Sequence, residues 1–245
     1  MKITMTGRLT QCILLAYRTP AAGVAHLLPA GLRPLTRGEW AFWNVVACRV
    51  ECMRPRGLPA LAGLSYFHVA YRLYVRAMLA DGRELQGLYF VRSDADSTLI
   101  AATGNLMTDF RFHRAAIAAE ETPAGGLRYD VRTPEGVADL GLSVVPSDDA
   151  HAAPDTCFPS PDAARAFLHY QPLGLSVSAR GTKLRVAEVL RDESAWRETP
   201  LRVERADVAF LDHLGQREAR LELATLVAPI AYRWRLGRRE RLAPA

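Results

Sequence analysis

The sequence predicts a β-rich α+β fold in one domain, on three observations. The first is composition: 49% of the 245 residues are apolar and 23% are charged, an ordinary globular balance with length enough to bury a core without staples. The second is pattern, because the chain reads as many strand-like runs broken by glycine and proline turns, with only a few short helical stretches. The third is continuity: no repeat, heptad, low-complexity tract or long linker divides residues 1–245. Many strands with few helices argue for a single sheet or barrel domain.

Each element follows from its own residues. Residues 8–17 are rich in apolar and β-forming side chains and predict a strand. Thr19-Pro20 reads as a helix N-cap with proline in the first turn, the helix presenting Val24, Leu27 and Leu28 and stopping at Pro29 and Gly31. Residues 40–53 form a long strand, and Pro55, Gly57 and Pro59 mark a loop. Residues 65–79 and 84–92 form a hairpin around Asp81-Gly82, a pair suited to a type I′ turn. A helix over 96–107 starts at Asp96 or Ser97, and this placement makes Asp94 and Asp96 capping groups rather than paired acids. Strands follow over 110–121, 127–133 and 137–145. After a proline-rich loop at 147–160, Ser160-Pro161-Asp162 opens a helix to about His169. The last strands are 173–178, 183–190, 199–207 and 221–234, with a turn at Arg180-Gly181 and His213 at a helix or turn end.

Charge and cysteines narrow the function. The net charge of +5 is carried almost entirely by arginine, the only lysines being Lys2 and Lys183. The one dense basic cluster, Arg233 to Arg241, reads as a solvated or frayed tail, so nucleic acid is not the expected partner. Cys12, Cys48, Cys52 and Cys157 lack the paired spacing of a structural zinc site and read as buried free thiols, with no metal or other cofactor implied. Residues 1–9 are too polar for a signal peptide, and no apolar run approaches a membrane span, which together point to the cytoplasm and no membrane. Nucleophile-elbow, phosphate-loop and zinc-helix motifs are absent.

Two segments could carry chemistry. Over 66–76, Phe67, Val69, Tyr71, Leu73 and Val75 alternate with Tyr66, His68, Ala70, Arg72, Tyr74 and Arg76. The second face either meets water or lines a cavity; its histidine, arginine and tyrosines suit a small carboxylate. In Asp109 to Arg114, a strand would put Arg111 and His113 on one face and Phe110, Phe112 and Arg114 on the other. A lone histidine there is more often a structural hydrogen-bonding group than a catalyst.

An ordered series of segments resembles the YqjF-like family of uncharacterised bacterial proteins. It runs Tyr17-Arg18-Thr19, Leu27 to Leu32, the strand from Trp40 to Met53, Arg54 to Pro59, Tyr71 to Arg76, Ser93 to Ser97 and Phe112-His113-Arg114-Ala115. The similarity is strongest over 8–115 and looser from Phe158-Pro159-Ser160 to the final strand. That family is similar in fold to acetoacetate decarboxylase, which implies a closed or nearly closed β-barrel with a few peripheral short helices, an internal cavity and association into a homo-oligomer. In such a barrel the polar face of 66–76 points inward.

The resemblance also shows what is missing. The decarboxylase uses a lysine that condenses with a ketone; Phe112 and His113 stand where it has two adjacent lysines, and His68, Trp43 and Thr10 stand at its other pocket positions. Imine chemistry is therefore not expected. Two readings remain. In the first, a lyase or isomerase acts on a small keto- or hydroxy-carboxylate. His68 and His113 then transfer protons, Arg72 or Arg111 holds the carboxylate, Tyr66 and Tyr74 orient it, and Trp43 and Phe112 supply apolar wall. In the second, the barrel binds a small organic molecule without turnover.

Overall fold

The computed structural model describes residues 3–148, 155–169, 171–178, 181 and 183–243. The Arg180 half of the expected Arg180-Gly181 turn and part of the 147–160 loop lie outside them. The first half of the chain forms β1 (Ile3–Pro20), β2 (Leu32–Pro34), β3 (Thr36–Arg37), β4 (Trp40–Pro55), β5 (Leu64–Met78), β6 (Glu84–Ala95) and α1 (Thr98–Met107). Then come β7 (Phe112–Arg114), β8 (Ala116–Glu121), β9 (Leu127–Arg132), β10 (Leu140–Pro146) and α2 (Pro161–Phe167). The rest is β11 (Leu173–Val177), β12 (Lys183–Leu190), β13 (Glu198–Val208), α3 (Ala209–His213), β14 (Arg220–Val227) and β15 (Ile230–Arg241).

The strands pair in the order β4-β5-β6-β11-β12-β15-β1, and β1 pairs back onto β4, which closes a ring of seven. All of these pairs are antiparallel except β6 with β11, which is parallel and holds only Gly174↔Leu88 and Leu175↔Tyr89. From β1 the sheet also continues through β14, β13, β10 and β9 to β8, forming a second layer.

Strand alternation sorts the side chains into two cores. Ile13, Leu15, Trp43, Val45, Tyr71, Leu73 and Tyr89 point out of the ring and join Tyr129, Leu140, Leu142 and Phe210 of the second layer. Leu14, Phe42, Val46, Ala70, Leu88, Phe90 and Tyr232 point into the ring. Two bulges reset this phase. Gln11, with φ 48, lies where the β1–β4 register shifts, so Leu9 and Cys12, three residues apart, both face inward. Cys52, with φ 53, does the same where the β4–β5 register shifts, so Val50 and Met53 share the interior. A bulge adds one residue to one strand and re-aims the side chains beyond it.

Several expectations need correction. β1 stays paired to Pro20, opposite Trp40, and Thr19 Oγ1 donates to Gln216 Oε1 at 2.8 Å instead of capping a helix. Only two 3₁₀ turns, Ala21–Gly23 and Ala25–Leu27, fit before Pro29. The β5–β6 turn is not type I′, which needs positive φ at both central residues. Gly82 (φ 83) has it and Asp81 does not. Gly82 N donates to Leu79 O and Leu79 N to Arg83 O, a wider loop closed by a left-handed glycine. Ser97 caps α1 through Ile100 N, whereas Asp96 accepts from Phe67 N and Asp94 pairs with Arg92. The 221–234 segment is two strands, β14 and β15, and β15 continues to Arg241. The arginine cluster is therefore ordered strand, not frayed tail, with Arg233, Arg235, Arg239 and Arg241 turned to solvent.

Candidate active site inside the ring

The inward face of the ring encloses a cavity of about 900 Å³, measured out to its mouth and open solvent included. Its wall is mostly apolar: Leu9, Val46, Val50, Phe90, Phe110, Phe112 and Trp234. Half-buried Met5, Thr103, Met107 and Leu236 mark where it reaches the surface beside α1. Phe90 and Phe110 stack at 3.8 Å between ring centres.

A few polar side chains converge on this wall. Tyr66, His68 and Arg72 come from one face of β5, and Cys12 and Cys48 from β1 and β4. The ladder places Cys48 opposite His68. The His68 ring stacks on Phe112 at 5.2 Å, and its Nε2 is buried with no hydrogen-bond partner among the described residues. The buried Arg72 guanidinium donates to Asn44 Oδ1 and lies 5.4 Å from the centre of the Phe90 ring. Asn44 Nδ2 in turn donates to the Tyr74 hydroxyl, which donates to Leu168 O at 2.6 Å.

The electrostatics follow from these neighbours. A hydrogen bond from the Cys12 thiol is the largest influence on Cys48; burial opposes it, and the adjoining His68 and the charge of Arg72 reinforce it, drawing Cys48 down to about 5. The same hydrogen bond and burial push Cys12 well up, so the two thiols are shifted in opposite directions. Burial, then the Cys48 charge, raises Tyr66 and keeps its phenol protonated. Among the described residues, no group of three or more His, Cys, Asp or Glu side chains is placed to hold a metal ion.

The structure therefore brings Tyr66, His68, Arg72 and Phe112 to one cavity and leaves the other candidates outside its lining. His113 follows Phe112 along β7, and neighbouring strand residues point to opposite faces, so the two cannot share the cavity. His113 stands opposite Asp94 instead, and burial, then Arg92, lower its pKa. Arg111, with φ 54, donates to the Tyr89 hydroxyl at 3.0 Å on the outer face. Trp43 is an odd-numbered β4 residue and packs outward, in register with Leu73. Tyr74 shares the inward face of His68, but its hydroxyl is spent on Asn44 and Leu168. The two thiols were not singled out from sequence, because their nearness to His68 depends on register and on the bulge at Gln11.

The β-rich fold around this cavity is similar to that of acetoacetate decarboxylase-like structures. The chain belongs to the DUF2071 family of uncharacterized conserved proteins, whose signature it matches over residues 6–229. No curated protein matches it. Among solved structures it is similar to the enduracididine biosynthesis enzyme MppR (TM-score 0.59, 14% identity, covering 99% of this chain and 88% of that one). It is also similar to an acetoacetate decarboxylase-like enzyme from Sphingomonas wittichii RW1 (0.59, 16%, 98% and 94%). A third is acetoacetate decarboxylase from Legionella pneumophila (0.59, 11%, 99% and 87%). At these identities the likeness is one of fold. Lys183, exposed at the start of β12, does not line the cavity, and Lys2 lies outside the described residues.

Proposed function

We propose that the seven-stranded ring is a barrel whose interior takes a small keto- or hydroxy-carboxylate, anchored by Arg72, with His68 transferring a proton. The observation that carries this reading is the buried, unpartnered Nε2 of His68 on the same strand face as the buried Arg72 guanidinium, in an otherwise apolar cavity. A buried nitrogen without a partner is costly, and a bound oxygen would satisfy it. Ala70 between the two keeps the intervening wall low. MppR, of similar fold, has been seen with pyruvate, which fits a ligand of this class.

The residues suggest lyase or isomerase chemistry by proton transfer, without an imine. Arg72 N–H groups would hold the carboxylate in a fixed orientation. His68 Nε2 would take a proton from, or return one to, the carbon next to the carbonyl. The protonated Tyr66 would donate toward the oxygen that gains charge, and the apolar wall would strengthen both interactions by excluding water. The reduced thiols fit a cytoplasmic protein. The breadth of the apolar wall favours one other reading, a barrel that binds such a molecule without converting it.

The test is a thermal-shift panel of keto, hydroxy and aromatic carboxylates on the wild type, Arg72→Met and His68→Gln, each compared with its own ligand-free melting point. A hit is expected to bind Arg72→Met about tenfold to a hundredfold more weakly, the weight of a charge-assisted hydrogen bond. For that hit, NMR should show exchange of the α-hydrogen with solvent deuterium in the wild type and none in His68→Gln. Binding without exchange would leave the non-catalytic barrel. No stabilisation by any carboxylate would sink the anchor role of Arg72.

A further inference from the structure

The carboxylate reading leaves Cys12 and Cys48 without a task, yet both are buried, both line the cavity, and both are free. They lie on neighbouring antiparallel strands, in the gap where the bulge at Gln11 interrupts the ladder between Thr10↔Arg49 and Ile13↔Ala47. The two thiols are near enough to shift each other's ionisation, and the Cys48 sulfur also adjoins His68. Residues that face one another across adjacent strands lie within the span a disulfide bridges.

We propose that Cys12 and Cys48 are a redox-active dithiol, in which Cys48 attacks a small hydroperoxide admitted to the cavity and Cys12 then closes a disulfide onto it. The dithiol uses the same cavity but does not depend on a carboxylate binding there.

The steps balance. The Cys48 sulfur attacks the terminal oxygen of ROOH; the S–O bond forms, the O–O bond breaks, and the proton the thiol gives up passes to the departing oxygen, which leaves as ROH. Sulfur is oxidised by two electrons and the peroxide reduced by two, giving a sulfenic acid. Cys12 then attacks that sulfur; the S–S bond forms, the S–O bond breaks, and hydroxide leaves as water with the Cys12 proton. A small dithiol would restore both thiols by exchange.

A buried thiol in an apolar core is ordinarily inert. The other cysteines show the contrast. Cys157 lies outside the cavity lining, and burial and then Glu222 push it up to about 11. Cys48 differs in having a donor thiol, an imidazole and a guanidinium around it.

The experiment uses the full, reduced chain. Hydrogen peroxide and cumene hydroperoxide are added separately and the products read by intact mass and peptide mapping. Both the loss of two hydrogens and a Cys12–Cys48 link are expected, with Cys52 and Cys157 still open to alkylation. Cys12→Ser should stop at a sulfenic acid on Cys48 that dimedone traps, and Cys48→Ser should leave Cys12 unoxidised. A measurement on the wild type guards against variants that fail to fold: at pH 6, iodoacetamide should modify Cys48 about tenfold or more faster than Cys157, following thiolate fraction. Equal rates at the two sites, or peroxide that yields no Cys12–Cys48 link, would overturn the proposal.

Discussion

Glu222 ties three parts of the chain together through one carboxylate. Buried on β14, it accepts from Arg18 of β1, from Thr156 Oγ1 and from Cys157 N. Without Glu222 the buried Arg18 would be left with only the exposed Asp155, at 2.6 Å, so Glu222→Ala is expected to cost up to about 3–5 kcal/mol. Urea denaturation measures it, and a loss under about 1 kcal/mol would mean that water replaces the carboxylate. At this scale part of the candidate site is legible in the sequence. Tyr66, His68 and Arg72 share a face because period-two alternation holds over 66–76, and that is a local property. Cys48 is not legible, since its nearness to His68 depends on the pairing of β4 with β5. The resemblance puts both Phe112 and His113 at the site, where the decarboxylase has two adjacent lysines, and the alternation that groups the β5 residues separates them.

At the scale of elements, α1 roofs the cavity through Gly104. A Cβ there would fall 2.6 Å from the Phe112 ring, which stacks on His68. Alanine improves a helix by about 1 kcal/mol over glycine. Gly104→Ala is nevertheless expected to lower the melting point, because an aromatic ring clamped on both sides has nowhere to move. A higher melting point would show that Phe112 can shift. Asp139 holds the turn between β9 and β10, accepting from Thr133 N at 2.8 Å and Thr133 Oγ1 at 3.0 Å. Burial raises its pKa, but those bonds and Arg132 outweigh it and leave the folded value depressed. A depressed carboxylate stabilises above its unfolded pKa and loses that contribution as pH falls through the folded one. Asp139→Ala should therefore cost about 1 kcal/mol at neutral pH and little in acid. A cost that stays constant across a pH series of melts would contradict this. The caps Ser97 and Ser160 are legible because capping is local. The helix expected after Thr19 fails because β4 keeps β1 extended to Pro20, a tertiary demand that overrides propensity.

Across the whole molecule, the ring has one weak seam. The β6–β11 contact is parallel and two register pairs long, while β5 runs between long antiparallel ladders on both sides. Local opening should begin at that seam. Hydrogen exchange is expected to be faster at the amides of 173–177 than at those of 69–75. Equal protection would mean that the ring opens only as a unit. The β-rich class is readable from composition and turns, but the closure is not, because alternation tells which way a side chain points and never which strand lies beside it.

The place of β1 in the ring bears on how the protein comes into being. It is flanked by β4 on one edge and by β14 and β15 on the other. During synthesis the hairpins from β4 to β6 can form as they emerge, but β1 must wait for β14 and β15, about two hundred residues on, before its other edge is covered. Contacts so distant in sequence make folding slow. Until then the nascent chain presents an open strand edge and half a cavity, and its need of a chaperone should be greatest before β14 and β15 have been made.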